Sequence, residues 1–428
     1  MLIPFDDYPV HQTAEPLSYM ASSERNMYAR YWYNGYDFDG EFYIGIAFAA
    51  YPNREVMDGA VSVVRKDGTQ HSFRASRRLR GDRTDLYAGP MRHEIVEPMR
   101  IVRVTVEKNN TGFACDLTFH ANTVAHEEPA DYMKQGVRTV AQMKRFSQFG
   151  RWEGWIEVDG KRQEINPATT FGTKDRSWGW RWTGETEKGI SRDIPEQFFW
   201  LWAPIHWQDR CTHWGQHEYV DSKRCKEFAQ VFRTWPIKSD FDVLDEGDVE
   251  AALCADHRLE FARGSRLISR AEIDTVYRDG RKETFVLEPL LRYHMYGTGY
   301  NHPEWGHGFY KCEEAHTLES WDINKIDVNA PQYMHVQQVV RATCGDQVGS
   351  ACSNNISSAR TSVTGSTAFS IRPEPRQRAA KRARPAQPMS AAAMGANRSA
   401  GAVGDRQKCR RKSRRGIACI CGKEWLPG

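Results

Sequence analysis

The sequence predicts an all-β fold: two β-barrel domains followed by a disordered basic tail. Three observations carry this expectation. Short runs of alternating hydrophobicity are joined by Asp-Gly turns along most of the chain. Long amphipathic helices are almost absent, which favours barrels or sandwiches. From about residue 345 periodicity vanishes and Ser, Ala, Arg, Gly and Pro dominate, a composition that buries too little apolar surface to fold.

In chain order, the first thirty residues are polar and irregular and read as a strap over the fold. Residues 41–48 then alternate, with Phe42, Ile44, Ile46 and Phe48 on one face and Tyr43, Gly45 and Ala47 on the other. Residues 61–64 and 70–73 form a hairpin across Lys66-Asp67-Gly68, and 101–106 and 113–119 a second across Asn109-Asn110-Thr111-Gly112. Residues 131–148 read as a helical or irregular interruption, because Met133, Val137, Val140, Met143 and Phe146 recur at helix-like spacing. A third hairpin turns at Asp159-Gly160. Strands follow at 198–202, 213–220, 259–262 and 267–276, and Asp279-Gly280 turns the last of these into 283–287. The recurrence of the hairpin unit on both sides of residue 172 suggests two similar halves, and a single β barrel rarely exceeds ~250 residues. The expected domains are therefore 1–168 and 169–344, with a tail at 345–428.

Charge separates body from tail. Residues 345–428 hold 16 Lys+Arg and 4 Asp+Glu, a net of +12, whereas the whole chain of 428 residues is +4, so residues 1–344 carry −8. No nucleic acid is expected as a partner of this acidic body. The tail admits a nucleic-acid or membrane-surface reading, and Cys419-Ile420-Cys421 a metal reading. The preferred account is that a GC-rich gene is read out of frame there, a frameshift product beginning soon after Val340. The longest apolar run, 43–51, is about half of the ~20 residues a membrane-spanning helix needs, so no membrane span is expected. The N-terminal residues lack the pattern of a secretory signal, and ten cysteines without a CxxC pair suit a reducing compartment, so a cytoplasmic location is expected.

Four aromatic clusters stand out. Residues 172–182 hold Asp175, Arg176, Trp178, Trp180, Arg181 and Trp182; 198–202 place Phe198, Trp200 and Trp202 on one strand face. His206-Trp207 and 213–221, with His213, His217 and Tyr219, make the third, and 293–308, with His302, Glu304, Trp305 and His307, the fourth. Three Trp within five residues point to something large and apolar packed there. Together these rings, with charged groups threaded between them, predict a lined pocket. Asp175, His206, His217 and Tyr219 are the candidate polar actors. Arg176, Trp178, Trp180, Trp200, Trp202, Trp305 and His302 are the candidate ligand contacts. Metal is set behind hydrogen-bonded histidines, because no HExxH helix is present and 213/217 lie on a strand. No G-x-S-x-G elbow and no Walker or Rossmann glycine pattern occurs, so no cofactor is expected.

The order Gln148-x-Gly150-x-x-x-Gly154, hairpin, Asp175-Arg176-Ser177-Trp178-Gly179, Trp200-x-Trp202 resembles the carotenoid 1,2-hydratase/AttH-like group. Its members are two-domain, lipocalin-like proteins with the signature Asp-His-x-Trp-Gly. The likeness covers residues 25–343 and is closest to an uncharacterised bacterial branch of that group. In that branch Asp-Arg-Ser-Trp-Gly and a late His-Pro-Glu-Trp-Gly-His, here residues 302–307, both occur. The resemblance implies two lipocalin-like (calycin) barrels, the second starting near residue 169. It also implies an isoprenoid- or steroid-like hydrophobic small molecule as partner, hydrated, dehydrated or isomerised by the protein. Hydration of an unactivated alkene needs a carboxylic acid kept neutral by an apolar site and aromatic faces for the cation; Asp175 among Trp178, Trp180 and Trp182 suits both. Arg176 replaces the signature histidine and is no acid or base, and Trp200-Leu201-Trp202 stands where the hydratases carry a second acid. The alternative is a non-catalytic carrier with the same fold, in which Asp175 and Arg176 form a structural ion pair.

Overall fold

Alternating apolar residues and glycine-bearing turns build strands along nearly the whole chain, and no α-helix occurs among the described residues. The structure is a computed structural model describing residues 4–10, 14–16, 18–135, 137–181, 198–218 and 224–358. The strands are β1 (Met27–Asp37), β2 (Phe42–Tyr51), β3 (Val56–Arg65), β4 (Thr69–Arg78), β5 (Tyr87–Ala88), β6 (Met91–Glu97), β7 (Ile101–Val106), β8 (Phe113–Ala121), β9 (His126–Glu127), β10 (Asp131–Gln135), β11 (Arg138–Val158), β12 (Lys161–Ile165) and β13 (Thr170–Trp180). They continue as β14 (Phe198–His206), β15 (Arg210–Glu218), β16 (Arg224–Arg233), β17 (Val249–Ala251), β18 (Cys254–Phe261), β19 (Ile268–Val276), β20 (Lys282–His294), β21 (Glu314–Asp322), β22 (His335–Cys344) and β23 (Gln347–Ser358).

The four hairpins expected from the sequence form: β3–β4, β7–β8, β11–β12 and β19–β20. At Asp159-Gly160 both turn residues have positive φ, 50° and 76°, as a two-residue turn between right-twisted strands requires.

Two nearly closed sheets result. The first runs β21-β4-β3-β2-β1-β13-β11-β8-β7-β6-β5, with β9, β10 and β12 also paired to β11. Its far edge folds back, so that Arg77 on β4 donates to the Tyr87 carbonyl on β5 at 2.7 Å. It wraps a core that includes Tyr33, Phe48, Phe73, Phe119 and Trp152. The second runs β17-β16-β15-β14-β23-β22-β20-β19-β18; Arg224 on β16 reaches the Ala255 carbonyl on β18 at 3.1 Å. Leu201, Trp214, Ile273, Phe285 and Val340 fill its interior. A third core lies between the sheets, where Trp32, Tyr36 and Tyr43 of the first meet Leu291, Tyr293 and Val339 of the second. This is why both faces of β2 are buried: Phe42, Ile44, Ile46 and Phe48 join the first core, Tyr43 and Ala47 the third.

Part of the expected N-terminal strap is present as a plug. Asp7 is fully buried, ion-pairs Lys174 of β13 at 2.6 Å and accepts the Met99 N–H at 2.6 Å.

Three expectations are corrected. Residues 131–148 are not helical: β10 and β11 form a hairpin, and β11 pairs β13 from Gln142↔Trp180 onward. Long-range pairing on both sides outweighs the helix-like spacing, and Val137 sits exposed at the hairpin tip. The boundary at 168/169 gives way because β13 pairs with β1 and β11 and so completes the first sheet, and β21 returns to the first sheet beside β4. The tail does not begin at 345: β23 pairs with β22 and β14, and its polar residues are held by backbone hydrogen bonds to a neighbour on each side.

Candidate active site between the sheets

Strand alternation decides which residues meet. On the outer face of the first sheet, β1 presents Trp32, β11 presents Met143 and Arg145, and β13 presents Asp175. The facing surface of the second sheet supplies Trp200 and Trp202 from β14 and His217 from β15. Met295 and Tyr300 come from the loop after β20, and His335 and Gln337 from β22. With Asp131, Met133 and Arg181 they enclose about 100 Å³. Gly179 lets β13 lie against β11 here. Its φ is 128°, and a Cβ would stand 2.2 Å from the Gln142 carbonyl oxygen.

Asp175 is the chemically notable group. Its Oδ2 accepts from Arg145 Nη1 at 3.3 Å, while Oδ1 is buried without a hydrogen-bond partner. Burial pushes its carboxyl up from the ordinary aspartate range, and Arg145 opposes that shift. Arg145 also faces Asp131 at 3.4 Å and Glu128 at 3.8 Å. Lys226, from β16, bridges Glu128 and Asp131 at 3.2 Å each. Ser147 Oγ and Trp202 Nε1 donate to Glu128 at 2.6 and 3.4 Å. Burial pushes the Glu128 carboxyl up, but Lys226 and Arg145 outweigh it and hold the group at about 2. This buried network ties the sheets together and fixes the Trp202 indole at the pocket wall. His217 stands edge-on to Trp200 with ring centroids 5.8 Å apart, and burial holds it at about 4, so it is neutral at pH 7.

Of the residues singled out in the sequence, Asp175, His217, Trp200 and Trp202 come together in this cavity. Arg176 does not. As the next residue on the strand it points to the opposite face, where it is fully buried, donates to the Ser177 and Tyr8 carbonyls at 2.8 and 2.9 Å, and lies 4.5 Å over Tyr31. The ion partner of Asp175 is Arg145, so the expected Asp175–Arg176 pair is corrected. Trp178 packs on that same far side, beside Phe146 and Met99. Trp180 ends β13, paired to Met27 and Gln142, and lies outside the cavity lining.

His206 sits elsewhere, hydrogen-bonded through Nδ1 to the Tyr36 hydroxyl at 2.8 Å and packed on Phe149 and Phe171; burial pulls it down to about 3. His302 contacts Glu319 at 3.2 Å and stacks on Tyr296, while its Nδ1 accepts the backbone N–H of Trp305 at 2.9 Å. Trp305 is partly exposed beneath Lys311. His302 and His307 are thus engaged in holding a loop, His307 accepting from Arg30 at 2.9 Å and donating to the Thr298 carbonyl at 3.0 Å. Tyr219 and Trp182 lie outside the described residues.

Sequence reasoning missed Trp32, Arg145, Glu128, Lys226 and Tyr300. Arg145 was hidden in the stretch that reads as helical, whereas Tyr300 lay inside a noted cluster. A larger, open groove of about 780 Å³ lies along β6–β8. On its wall Arg103 pairs with Asp116 at 2.7 Å and Arg92 with Glu107 at 3.8 Å, whereas the inter-sheet cavity gathers the aromatic rings and Asp175 and is the candidate site.

Solved structures resemble this architecture. Kievitone hydratase from Nectria haematococca is 12% identical, with a TM-score of 0.44, covering 82% of this chain and 98% of its own. A protein assigned as AttH from Nitrosomonas europaea is 12% identical, with a TM-score of 0.45, covering 76% and 91%. CghA, solved with Sch210972, is 11% identical, with a TM-score of 0.47, covering 82% and 95%. No curated protein matches the sequence. One family profile does match, over residues 2–366, and so takes in both sheets and β23; the chain belongs to the family of unknown function DUF8625.

Proposed function

We propose that this protein binds a hydrophobic, isoprenoid- or steroid-like small molecule between its two sheets and acts on it by proton transfer, adding or removing water or isomerising it. The observation that carries this reading is Asp175: a buried carboxyl oxygen without a partner, in a cavity walled by Trp32, Trp200 and Trp202. In its protonated form, which burial favours, the Asp175 carboxyl protonates an alkene carbon as the π bond breaks. The resulting cation faces indole rings, each worth roughly 0.5–2 kcal/mol. Water then adds as His217 accepts its proton, or the Asp175 carboxylate takes a neighbouring C–H proton and the electrons of that bond form the new double bond of an isomer. The cavity, about 100 Å³, is smaller than the ~150 Å³ that accepts benzene, so it suits the end of such a molecule rather than its whole length. The six cysteines with described side chains are free thiols, which suits the cytoplasmic setting expected from the sequence.

The carrier reading is favoured by one contact, the Arg145–Asp175 approach at 3.3 Å, which promotes an ionised carboxylate. Native mass spectrometry of the protein purified from its own host separates these readings from an empty fold. A co-purifying lipid supports the pocket, and repeated absence of bound mass argues against it. With that molecule in hand, Asp175→Asn should abolish turnover and keep binding in an enzyme; unchanged turnover removes Asp175 as the acid.

A further inference from the structure

Among the described residues, one end of the cavity carries more positive charge than its carboxylates balance. Arg145 and Lys226 are matched by Glu128 and Asp131. Arg30 and Arg181 are not: among the described residues neither has a carboxylate within ion-pair distance. Arg30 is 2% exposed; Nη1 donates to His307, and its Nε and Nη2 are buried without partners. Its guanidinium lies 4.8 Å over the ring of Tyr300, and that of Arg181 lies 5.7 Å from the same ring. Tyr300 and Arg181 both line the cavity. His307 and His335 stand edge-on to Tyr300 at 4.4 Å. The carboxylates whose fields reach Arg30 are Asp58 and Asp175. Burial pushes Asp58 up to about 6, and its Oδ2 is already taken by the Gly308 N–H at 2.7 Å.

A buried cation without a counter-charge is costly. The apolar wall of Trp32, Trp200 and Trp202 and this cationic end together describe an amphipathic occupant. We propose that the ligand carries an acidic oxygen group, a carboxylic acid or an acidic enol, whose anion docks against Arg181 and the Tyr300 hydroxyl with Arg30 behind the ring. This rests on the reading of the cavity as a hydrophobic-ligand site and adds the polar group that such a ligand bears. Burial raises the Tyr300 phenol, yet Arg30 and Arg181 outweigh it and leave it more acidic than usual, which makes it a stronger donor to an anion.

The test uses geranic acid and geraniol, which share a skeleton and differ in the terminal group, titrated calorimetrically into the full-length protein. The acid should bind at least about tenfold more tightly. Arg181→Gln should bring it down to the alcohol's affinity, and Arg181→Lys should retain part of the preference; near-ultraviolet circular dichroism checks that both variants are folded. Equal binding of acid and alcohol, or a preference that survives Arg181→Gln and Tyr300→Phe, overturns the acidic-group proposal and leaves the hydrophobic site standing. Binding of neither overturns both. A tyrosinate absorbance at pH 7 that disappears in Tyr300→Phe also overturns the proposal, because Tyr300 itself would then be the counter-ion.

Discussion

Lys226→Met isolates the buried network that joins the sheets. Lys226 has 4% of its side chain exposed and contacts Glu128, at 0%, and Asp131, at 8%, both at 3.2 Å. The substitution keeps the stem and removes the charge. Glu128 then retains Arg145 at 3.8 Å, the Ser147 hydroxyl and the Trp202 indole. Two routes give the size of the loss. Removing one partner of a buried pair costs about 3–5 kcal/mol. Glu128, fully buried, is lowered from 4.5 to about 2, which by linkage is about 3 kcal/mol of stability above pH 4.5. Because its folded pKa is depressed, that stability is present above 4.5 and is lost as pH falls through 2. Lys226 is the largest favourable contributor to it. Urea unfolding at pH 7 should therefore show Lys226→Met less stable by about 3 kcal/mol, with the gap closing as pH falls toward 2. Adding Glu128→Gln should recover part of the loss, since no orphaned carboxylate remains. A single variant as stable as wild type at pH 7 refutes an ionised Glu128 between the sheets.

Acidification probes the histidines. Burial lowers His93 and His206 to about 3 and His213 to about 4. The folded state stays neutral while the unfolded chain takes up protons below about 6.5. Stability should fall as pH drops from 6.5, by about 2 kcal/mol per histidine at pH 5; a flat Tm between pH 7 and 5 contradicts this. Arg176→Met strips donors from the Tyr8 and Ser177 carbonyls and should cost about 2 kcal/mol in urea unfolding. Ligand affinity should be unchanged, because the side chain faces away from the cavity; a large loss of affinity would return Arg176 to the site. Gly179→Ala places a Cβ 2.2 Å from a backbone oxygen at φ 128° and should lower thermal stability by at least about 2 kcal/mol; wild-type Tm would mean that β13 and β11 are not apposed there.

The hairpins were legible because their signal is local: Asp159-Gly160 and Asp67-Gly68 turn strands whose alternation is visible within ten residues. Sheet membership was not, because the pairing of β21 with β4 joins residues about 245 apart, and nothing in residues 314–322 names its partner. β23 reads as tail because Gln347, Ser350, Ser353, Asn354 and Asn355 lack apolar alternation; only the flanking β22 and β14 make it a strand. In the site, Asp175 was visible as one acid among tryptophans. Its partner was misjudged because adjacency in sequence means opposite faces in a strand, and the residue that reaches it, Arg145, lies across the β11–β13 pairing next to Ser147↔Asp175.

The most direct test of the whole account is a crystal structure of the protein with the molecule it carries from its host. The account places that molecule between the sheets, its apolar end among Trp32, Trp200 and Trp202 and within hydrogen-bonding or proton-transfer reach of Asp175 Oδ1. A ligand lying instead inside the core of either sheet, with Asp175 bonded only to Arg145, would contradict it.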